Sequence, residues 1–206
     1  MSAQTLLITE VKPKEGEVEA LASAWSALKK PSPAIQREIY IAQDGSTVLA
    51  ILALPDLQSV ALLRASWAAE WEQLGEYLAS DLSRQVLEFV EAPKDCKTAL
   101  PDTAYLQFRH VEVPPAAHDD YLAWRNQTIF EVVRSAEEVE VFLAYHSVIS
   151  CEPGVMFLSG FTDDVEAYTK VFNSPRYQQI VREAGTRFIT GGEKGLYTKL
   201  YRRLTA

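Results

Sequence analysis

Residues 104–124, AYLQFRHVEVPPAAHDDYLAW, have the pattern of a strand that leads directly into a helix. Their side chains alternate in polarity before the two prolines, as successive residues of a strand do when they face opposite sides of a sheet. A related stretch near the start of the chain, ITEVKPKEGEVEAL at 8–21, aligns EVKP at 10–13 with EVPP at 112–115. This alignment indicates an internal repeat, and a repeat decides how the whole chain is interpreted.

The order of predicted elements is the same in both halves of the chain. In the first half we expect strands at 5–12, 34–42, 47–54 and 85–92, with helices over 15–29 and 57–79. In the second half we expect strands at 104–113, 140–150, 155–161 and 196–203, with helices over 117–135 and 165–184, the latter broken near Asn173. Turn signals at Asp44-Gly45 and at CEPG, 151–154, predict hairpins. Each half therefore has the order β-α-β-β-α-β of a ferredoxin-like unit.

The predicted organisation is a first repeat at 1–92, a linker at 93–103 and a second repeat at 104–206. The linker contains prolines and no hydrophobic period. A four-stranded sheet that carries both helices on one face needs a cover for its other face. The simplest cover is the other repeat, so we expect an α+β fold with two sheets packed face to face as a pseudo-twofold barrel.

Composition and charge narrow the class of partners. The chain has 206 residues, 48% hydrophobic and 23% charged, with a net charge of −8, which is ordinary globular composition. The acidic charge argues against nucleic acid and against anionic membranes as partners. The first residues lack the pattern of a signal peptide, and no apolar run approaches the roughly 20 residues of a membrane helix, so we expect a cytoplasmic protein. Cys96 and Cys151 show no metal-ligand spacing and are expected to be unpaired thiols.

On this element order and the strand-then-VKP or strand-then-VPP motif, the chain resembles the dimeric α+β-barrel superfamily. That superfamily includes antibiotic-biosynthesis monooxygenases, haem-degrading monooxygenases, plant polyketide cyclases and stress-responsive barrel proteins. Its members usually carry one ferredoxin-like unit per chain and build a barrel from two chains. The resemblance therefore implies a tandem form, either a monomeric pseudo-dimer or a homodimer, with ligands held between the sheets and helices outside.

Strand 104–113 supplies the first candidate site residues. We assign the side of Leu106 and Phe108 to the helices because it is the more apolar one. Tyr105, Gln107 and Arg109 then face the cavity. A desolvated guanidinium needs a partner, which is either an anionic ligand or a protein carboxylate such as Glu38 of the opposite repeat.

Two further residues complete the predicted site. If the bulkier face of strand 140–150 meets the helices, His146 enters the cavity and could act as a general base. Tyr177 could line the mouth of the cavity, although core packing is the more common role of such a tyrosine. In this hypothesis Arg109 holds an oxyanion, His146 moves a proton, and Tyr105 and Gln107 orient the ligand.

The predicted function follows from this site and from the resemblance. Haem-degrading members bind iron through a histidine on the second helix, and neither 57–79 nor 165–184 contains one, so we expect no haem, no metal and no other cofactor. The favoured activity is that of a cofactor-independent monooxygenase, cyclase or isomerase acting on a small aromatic or polyketide-like compound. The alternatives are a non-catalytic small-molecule-binding or stress-associated protein, and a structural pseudo-dimer whose cavity is filled by side chains.

Overall fold

The computed structural model describes residues 1–33, 35–56, 60–150 and 152–204, and the side chains of residues 60–63 are not described. Within these residues the strands are β1 (Thr5–Val11), β2 (Gln36–Ala42), β3 (Val48–Leu54), β4 (Ser83–Lys94), β5 (Tyr105–Val111), β6 (Val141–Ile149), β7 (Val155–Phe161) and β8 (Leu196–Arg203). The helices are α1 (Val18–Ala27), α2 (Val60–Leu74), α3 (His118–Gln127), α4 (Ile129–Ser135), α5 (Val165–Asn173) and α6 (Pro175–Arg187).

The strands close into one antiparallel barrel in the order β1-β3-β2-β8-β5-β7-β6-β4. The first half contributes β4-β1-β3-β2 and the second half contributes β6-β7-β5-β8, so both halves use the same ferredoxin-like strand order. The two halves join where β2 pairs with β8 and where β4 pairs with β6. This closure confirms the predicted α+β barrel, and it pairs both edges of every described strand, which removes the free edges that promote aggregation.

The helices lie outside the barrel, as predicted. In the first half Leu21 and Trp25 of α1 are buried against Ile39 and Leu52 of the sheet. In the second half the aromatic side chains of α3 to α6 pack on the outer face of β5, β6 and β7. Burial of each such side chain contributes about 1.5–3 kcal/mol relative to an exposed one. The helices therefore stabilise the barrel from outside and leave its interior to the strands.

Local capping explains where the helices of the second half are interrupted. Ser174 accepts a hydrogen bond from the backbone N–H of Tyr177, and Pro175 occupies the first position of α6, so the predicted break near Asn173 is confirmed. The prediction of one continuous helix over 117–135 is wrong. The backbone of Thr128 leaves the helical region and separates α3 from α4, while its hydroxyl donates to the carbonyl oxygen of Trp124 at 2.8 Å.

Hydrophobic side chains from both halves fill the middle of the barrel. Leu6, Leu106, Phe108, Leu143 and Leu158 pack there and are fully buried. The predicted orientation of β5, with Leu106 and Phe108 toward the helices, is therefore wrong. The more apolar face of β5 points into the centre of the barrel, because a polar group buried there would need a hydrogen-bond partner. The outer face, which solvent reaches at its margins, takes the arginine.

One end of the barrel is covered by the chain itself. The backbone N–H of Ala3 donates to the carbonyl oxygen of Ala99 at 2.9 Å, and the hydroxyl of Tyr145 donates to the carbonyl oxygen of Ala3 at 2.9 Å. Thr103 packs so closely on Gly160 that a Cβ atom there would lie 2.7 Å from the threonine Oγ1. The first residues and the segment between β4 and β5 thus close this end, and they leave the opposite end for a site.

Candidate functional site at the polar end of the barrel

The predicted site residues on β5 lie on the helix side of the sheet, not in the barrel. Arg109 donates from Nη1 to the hydroxyl of Tyr177 and from Nε to Thr198 Oγ1 at 3.2 Å. Tyr105 lies on the same face and stacks on Phe161, with ring centroids 5.0 Å apart. Gln107 shares this face by strand alternation. The structure therefore brings Arg109 and Tyr177 together, but outside the barrel.

The other two predicted residues are also placed differently. Glu38 lies inside the barrel and forms an ion pair with Arg203 at 2.7 Å, so the predicted pair with Arg109 does not form. His146 is exposed on the outer face of β6, where its ring meets His118 edge to face at a centroid distance of 5.2 Å. The bulky side chains of β6, including Leu143 and Tyr145, fill the barrel, which turns His146 outward.

A cluster that the sequence did not reveal lies inside the barrel at the end away from the segment between β4 and β5. We call it the polar end. It comprises Glu10 of β1, Gln85 of β4, His110 of β5, Glu152 of the β6–β7 turn, and Tyr197, Lys199 and Tyr201 of β8. These residues are brought together by strand pairing, since His110 is opposite Tyr197 and Ser83 of β4 is opposite Glu10.

His110 is almost completely buried within the polar end. Its side chain is 1% exposed, and neither Nδ1 nor Nε2 has a hydrogen-bond partner among the described residues. Its ring stacks on Tyr197, with centroids 4.5 Å apart and an angle of 17° between the planes. Burial lowers the pKa of His110 to about 4, although Glu10 and Glu152 act in the opposite direction. At neutral pH the imidazole is therefore uncharged, with one N–H donor and one nitrogen acceptor available.

Glu10 connects the charged and phenolic groups of the cluster. Its carboxylate accepts hydrogen bonds from Lys199 Nζ at 2.7 Å and from the hydroxyl of Tyr201 at 2.5 Å. Burial, and next the negative charge of Glu10, raise the pKa of Tyr201, so this phenol keeps its proton. Gln85 is 5% exposed, and its Oε1 has no hydrogen-bond partner among the described residues. The polar end thus combines the ion pair of Lys199 and Glu10 with buried groups that have unused hydrogen-bond donors and acceptors.

The ring of Tyr197 covers one face of His110. The hydroxyl of Tyr197 donates to Glu152, which holds the phenol ring over the imidazole. Beside this cover is a depression of about 140 Å³ lined by Glu10, Ser83, Arg84, Gln85, Ser150 and Glu152. A cavity of roughly 150 Å³ is enough for benzene. The depression therefore has room for a ligand with a single ring, but His110 does not line it, so contact between such a ligand and His110 needs Tyr197 to move.

Metal binding and membrane crossing find no support among the described residues. Across the described ranges, no group of three or more His, Cys, Asp and Glu side chains is arranged to hold a metal ion. Cys96 is a buried free thiol, whereas Cys151 lies outside the described residues. None of the described helices combines the length and the apolar character that crossing a membrane requires. The expectation that the protein needs no haem stays a prediction.

Comparison with known proteins identifies the architecture. The sequence matches no family model and no curated protein. Many solved structures match nearly the whole chain, and three of them show the likeness. An anthrone oxidase-like protein superposes with a TM-score of 0.68 at 13% identity, over 98% of this chain and 91% of that one. The chain has the fold of a ferredoxin-like α+β barrel.

The other two structures support the same conclusion. A ferredoxin-fold protein related to antibiotic-biosynthesis monooxygenases, from Listeria monocytogenes, gives a TM-score of 0.57 at 6% identity, over 100% of this chain and 97% of that one. A monooxygenase-like protein from Listeria innocua gives 0.57 at 7% identity, over 98% and 95%. At these identities the ferredoxin-like α+β barrel is shown and the activity is not.

Proposed function

We propose that the polar end is the active site of a small-molecule enzyme that removes a proton from a phenol or an acidic C–H group. The observation that supports this most directly is His110, a neutral imidazole buried to 1% exposure with both ring nitrogens unpartnered among the described residues. Buried polar groups are usually hydrogen-bonded, and exceptions need an explanation. A ligand hydroxyl or enolisable group at His110 would supply the missing partner.

The neighbouring charges suit such a step. The low pKa of His110 belongs to the site without a ligand, and a phenolate or enolate formed beside the ring would favour imidazolium by direct attraction. Lys199, held in place by Glu10, would stabilise the negative charge on the substrate oxygen. Tyr197 would orient the ring of the substrate after leaving its stacked position. His110 therefore takes the catalytic-base role that the sequence had assigned to His146.

The reaction class follows from what the resulting anion can do. An electron-rich phenolate or enolate can react directly with dioxygen, cyclise, or be reprotonated at another carbon, which correspond to monooxygenase, cyclase and isomerase chemistry. The likeness to monooxygenase-like proteins favours the first, without a cofactor. The depression of about 140 Å³ is large enough for one aromatic ring.

A chromogenic phenol tests the proposal. We would titrate 4-nitrophenol with pH in the presence of excess protein and follow the yellow phenolate. The apparent pKa of the bound probe is expected to fall in the wild-type protein, and to return toward that of the free probe in His110→Gln. His146→Gln, at the exposed histidine, is the matched control and should behave as wild type. A lowered probe pKa that survives in His110→Gln would refute the role of His110.

A non-catalytic binding protein is the second candidate, and the stacked Tyr197 favours it, because it covers His110 in the described conformation. Oxygen uptake with 1,4-hydroquinone distinguishes the two. An enzyme should accelerate uptake over the uncatalysed rate and lose this acceleration in His110→Gln. A binding protein should shift the 4-nitrophenol titration but leave the rate of oxygen uptake unchanged.

A further inference from the structure

The depression beside Tyr197 contains a buried polar side chain without a partner. Gln85 is one of its lining residues and is 5% exposed, and its Oε1 has no hydrogen-bond partner among the described residues. Because a terminal amide has two roughly equivalent orientations, this oxygen can turn toward a donor placed in the depression. Since buried polar side chains are usually hydrogen-bonded, Gln85 indicates a place for a donor group of a ligand.

The charges around the depression favour a cation. Glu10 is paired with Lys199 at 2.7 Å. Arg84 pairs with Glu70 of helix α2 at 2.8 Å, outside the barrel. Glu152, the remaining charged residue of the lining, has no cation within ion-pair distance among the described residues. The depression therefore presents one carboxylate without a counter-charge, in a chain whose net charge is −8.

The side chain of Tyr197 shows which contacts a ligand would take over. Its ring stacks on His110, with centroids 4.5 Å apart, and its hydroxyl donates to Glu152. A ligand that reaches His110 displaces this side chain, so Glu152 loses its donor while the ligand shields it from water. A shielded carboxylate is better stabilised by a hydrogen-bonding cation than by a neutral donor. Such a ligand therefore combines an aromatic ring for His110 with a positively charged donor for Glu152.

The acceptors of the depression suit an ammonium group. A primary ammonium has three donors, and Glu152, Gln85 and Ser83 line the depression with oxygen acceptors. We propose that the depression binds the protonated primary amine of an arylalkylamine, so that the substrate of the polar end is a phenol with an aminoalkyl arm. This choice of substrate rests on the function proposed for His110, whereas the ammonium site itself does not.

Three phenols that differ in the charge of one arm test the substrate class by calorimetry. At pH 7 tyramine is a cation because its amine, like that of lysine, is protonated. It should bind about tenfold more tightly than 4-ethylphenol, and 4-hydroxyphenylacetate should bind more weakly than both. Glu152→Gln keeps an acceptor for Tyr197 and should bring the ratio of the tyramine and 4-ethylphenol dissociation constants close to one. Gln85→Met should reduce the preference for tyramine about threefold.

The matched control is Glu138→Gln, because Glu138 is an exposed carboxylate at the other end of β6 from Glu152. It should keep the wild-type ratio. Equal affinities for tyramine and 4-ethylphenol in the wild type would overturn the proposal, as would a preference for tyramine that is unchanged in Glu152→Gln.

Methylammonium tests the ammonium site without an aromatic ring. The side-chain amide NMR signals of Gln85, assigned by their absence in Gln85→Met, should shift more with methylammonium chloride than with sodium chloride at the same concentration. This difference should disappear in Glu152→Gln, and its absence from the wild type would overturn the ammonium site. A methylammonium shift in a protein that does not lower the pKa of 4-nitrophenol would refute the function of His110 and leave the ammonium site in place.

Discussion

Replacing His110 with phenylalanine measures how a neutral, unpartnered imidazole affects the stability of the barrel. The ordinary pKa of a histidine is about 6.5 and that of His110 in the folded protein is about 4. Each pKa unit corresponds to about 1.4 kcal/mol, so the difference corresponds to about 3 kcal/mol. Because the folded pKa is the lower one, the unfolded chain takes up a proton that the folded protein excludes as the pH falls from 6.5 toward 4.

The wild-type protein should therefore lose about 3 kcal/mol of unfolding free energy across this window through His110 alone. The phenylalanine variant should lose none of it, because its side chain does not titrate. At pH 7 the two proteins should differ by only about 1–2 kcal/mol, since removing unpartnered nitrogens is favourable and the added bulk of the ring is not. Stacking on Tyr197 remains available to phenylalanine.

Urea denaturation followed by tryptophan fluorescence at pH 7, 6, 5 and 4 gives the required free energies. The stability of the variant relative to wild type should rise by about 3 kcal/mol between pH 7 and pH 4, while carboxylate titrations common to both proteins largely cancel. Parallel curves for wild type and His110→Phe would refute the reasoning. A loss well above 2 kcal/mol at pH 7 would show that the nitrogens of His110 have partners after all.

Three further predictions concern the layers around the barrel. Glu91→Gln should lower the unfolding free energy measured in urea by about 3 kcal/mol, because it leaves the 1%-exposed Arg125 without its counter-charge. Arg125→Met should lower it less, because the carboxylate of Glu91 is 38% exposed and can be solvated. Arg109→Leu should lower the unfolding free energy by about 1–3 kcal/mol, because it leaves the buried hydroxyl of Tyr177 without its hydrogen-bond donor. The double variant Arg109→Leu, Tyr177→Phe should recover most of that loss. A drop of about 5 kcal/mol or more in the single variant would instead indicate a broken ion pair. Gly160→Ala should destabilise by about 1–3 kcal/mol through contact with Thr103, and Thr103→Ala should rescue it in a thermal melt; failure of the rescue would place the strain elsewhere.

The fold was largely predictable because its signals are local. Hydrophobic alternation located the strands, and Asp44-Gly45 located a hairpin in which Gly45 has a φ of +70°. The break at Thr128 was missed, since a threonine inside a helical pattern gives no indication of whether its hydroxyl bonds back to the preceding turn. The strand β4 runs to Lys94, two residues beyond the predicted boundary, because Pro93 lies at a β-bulge opposite β6 and past the residues of β4 that pair with β1.

The orientation of the strands was not predictable in the same way. On β5 and β6 both faces carry large apolar side chains, so alternation alone does not tell which face meets the helices. The expectation that Arg109 faces the barrel rests on the assumption that the helix layer is uniformly apolar. The structure shows that this layer holds Arg109 half buried on aromatic rings, and holds Arg125 with a carboxylate. Both arrangements satisfy a cation without an interior cavity.

The polar end could not be predicted as a cluster from the sequence because its members are far apart along the chain. Glu10 and Lys199 are separated by 189 residues and meet only when the barrel closes. One signal was present, however. Arg109 and His110 are adjacent in β5, so one of them must face the barrel whichever orientation the strand adopts. The chain's own backbone closes the other end of the barrel, so a catalytic residue is expected to face inward near the open end. In the structure the residue of β5 in that position is His110.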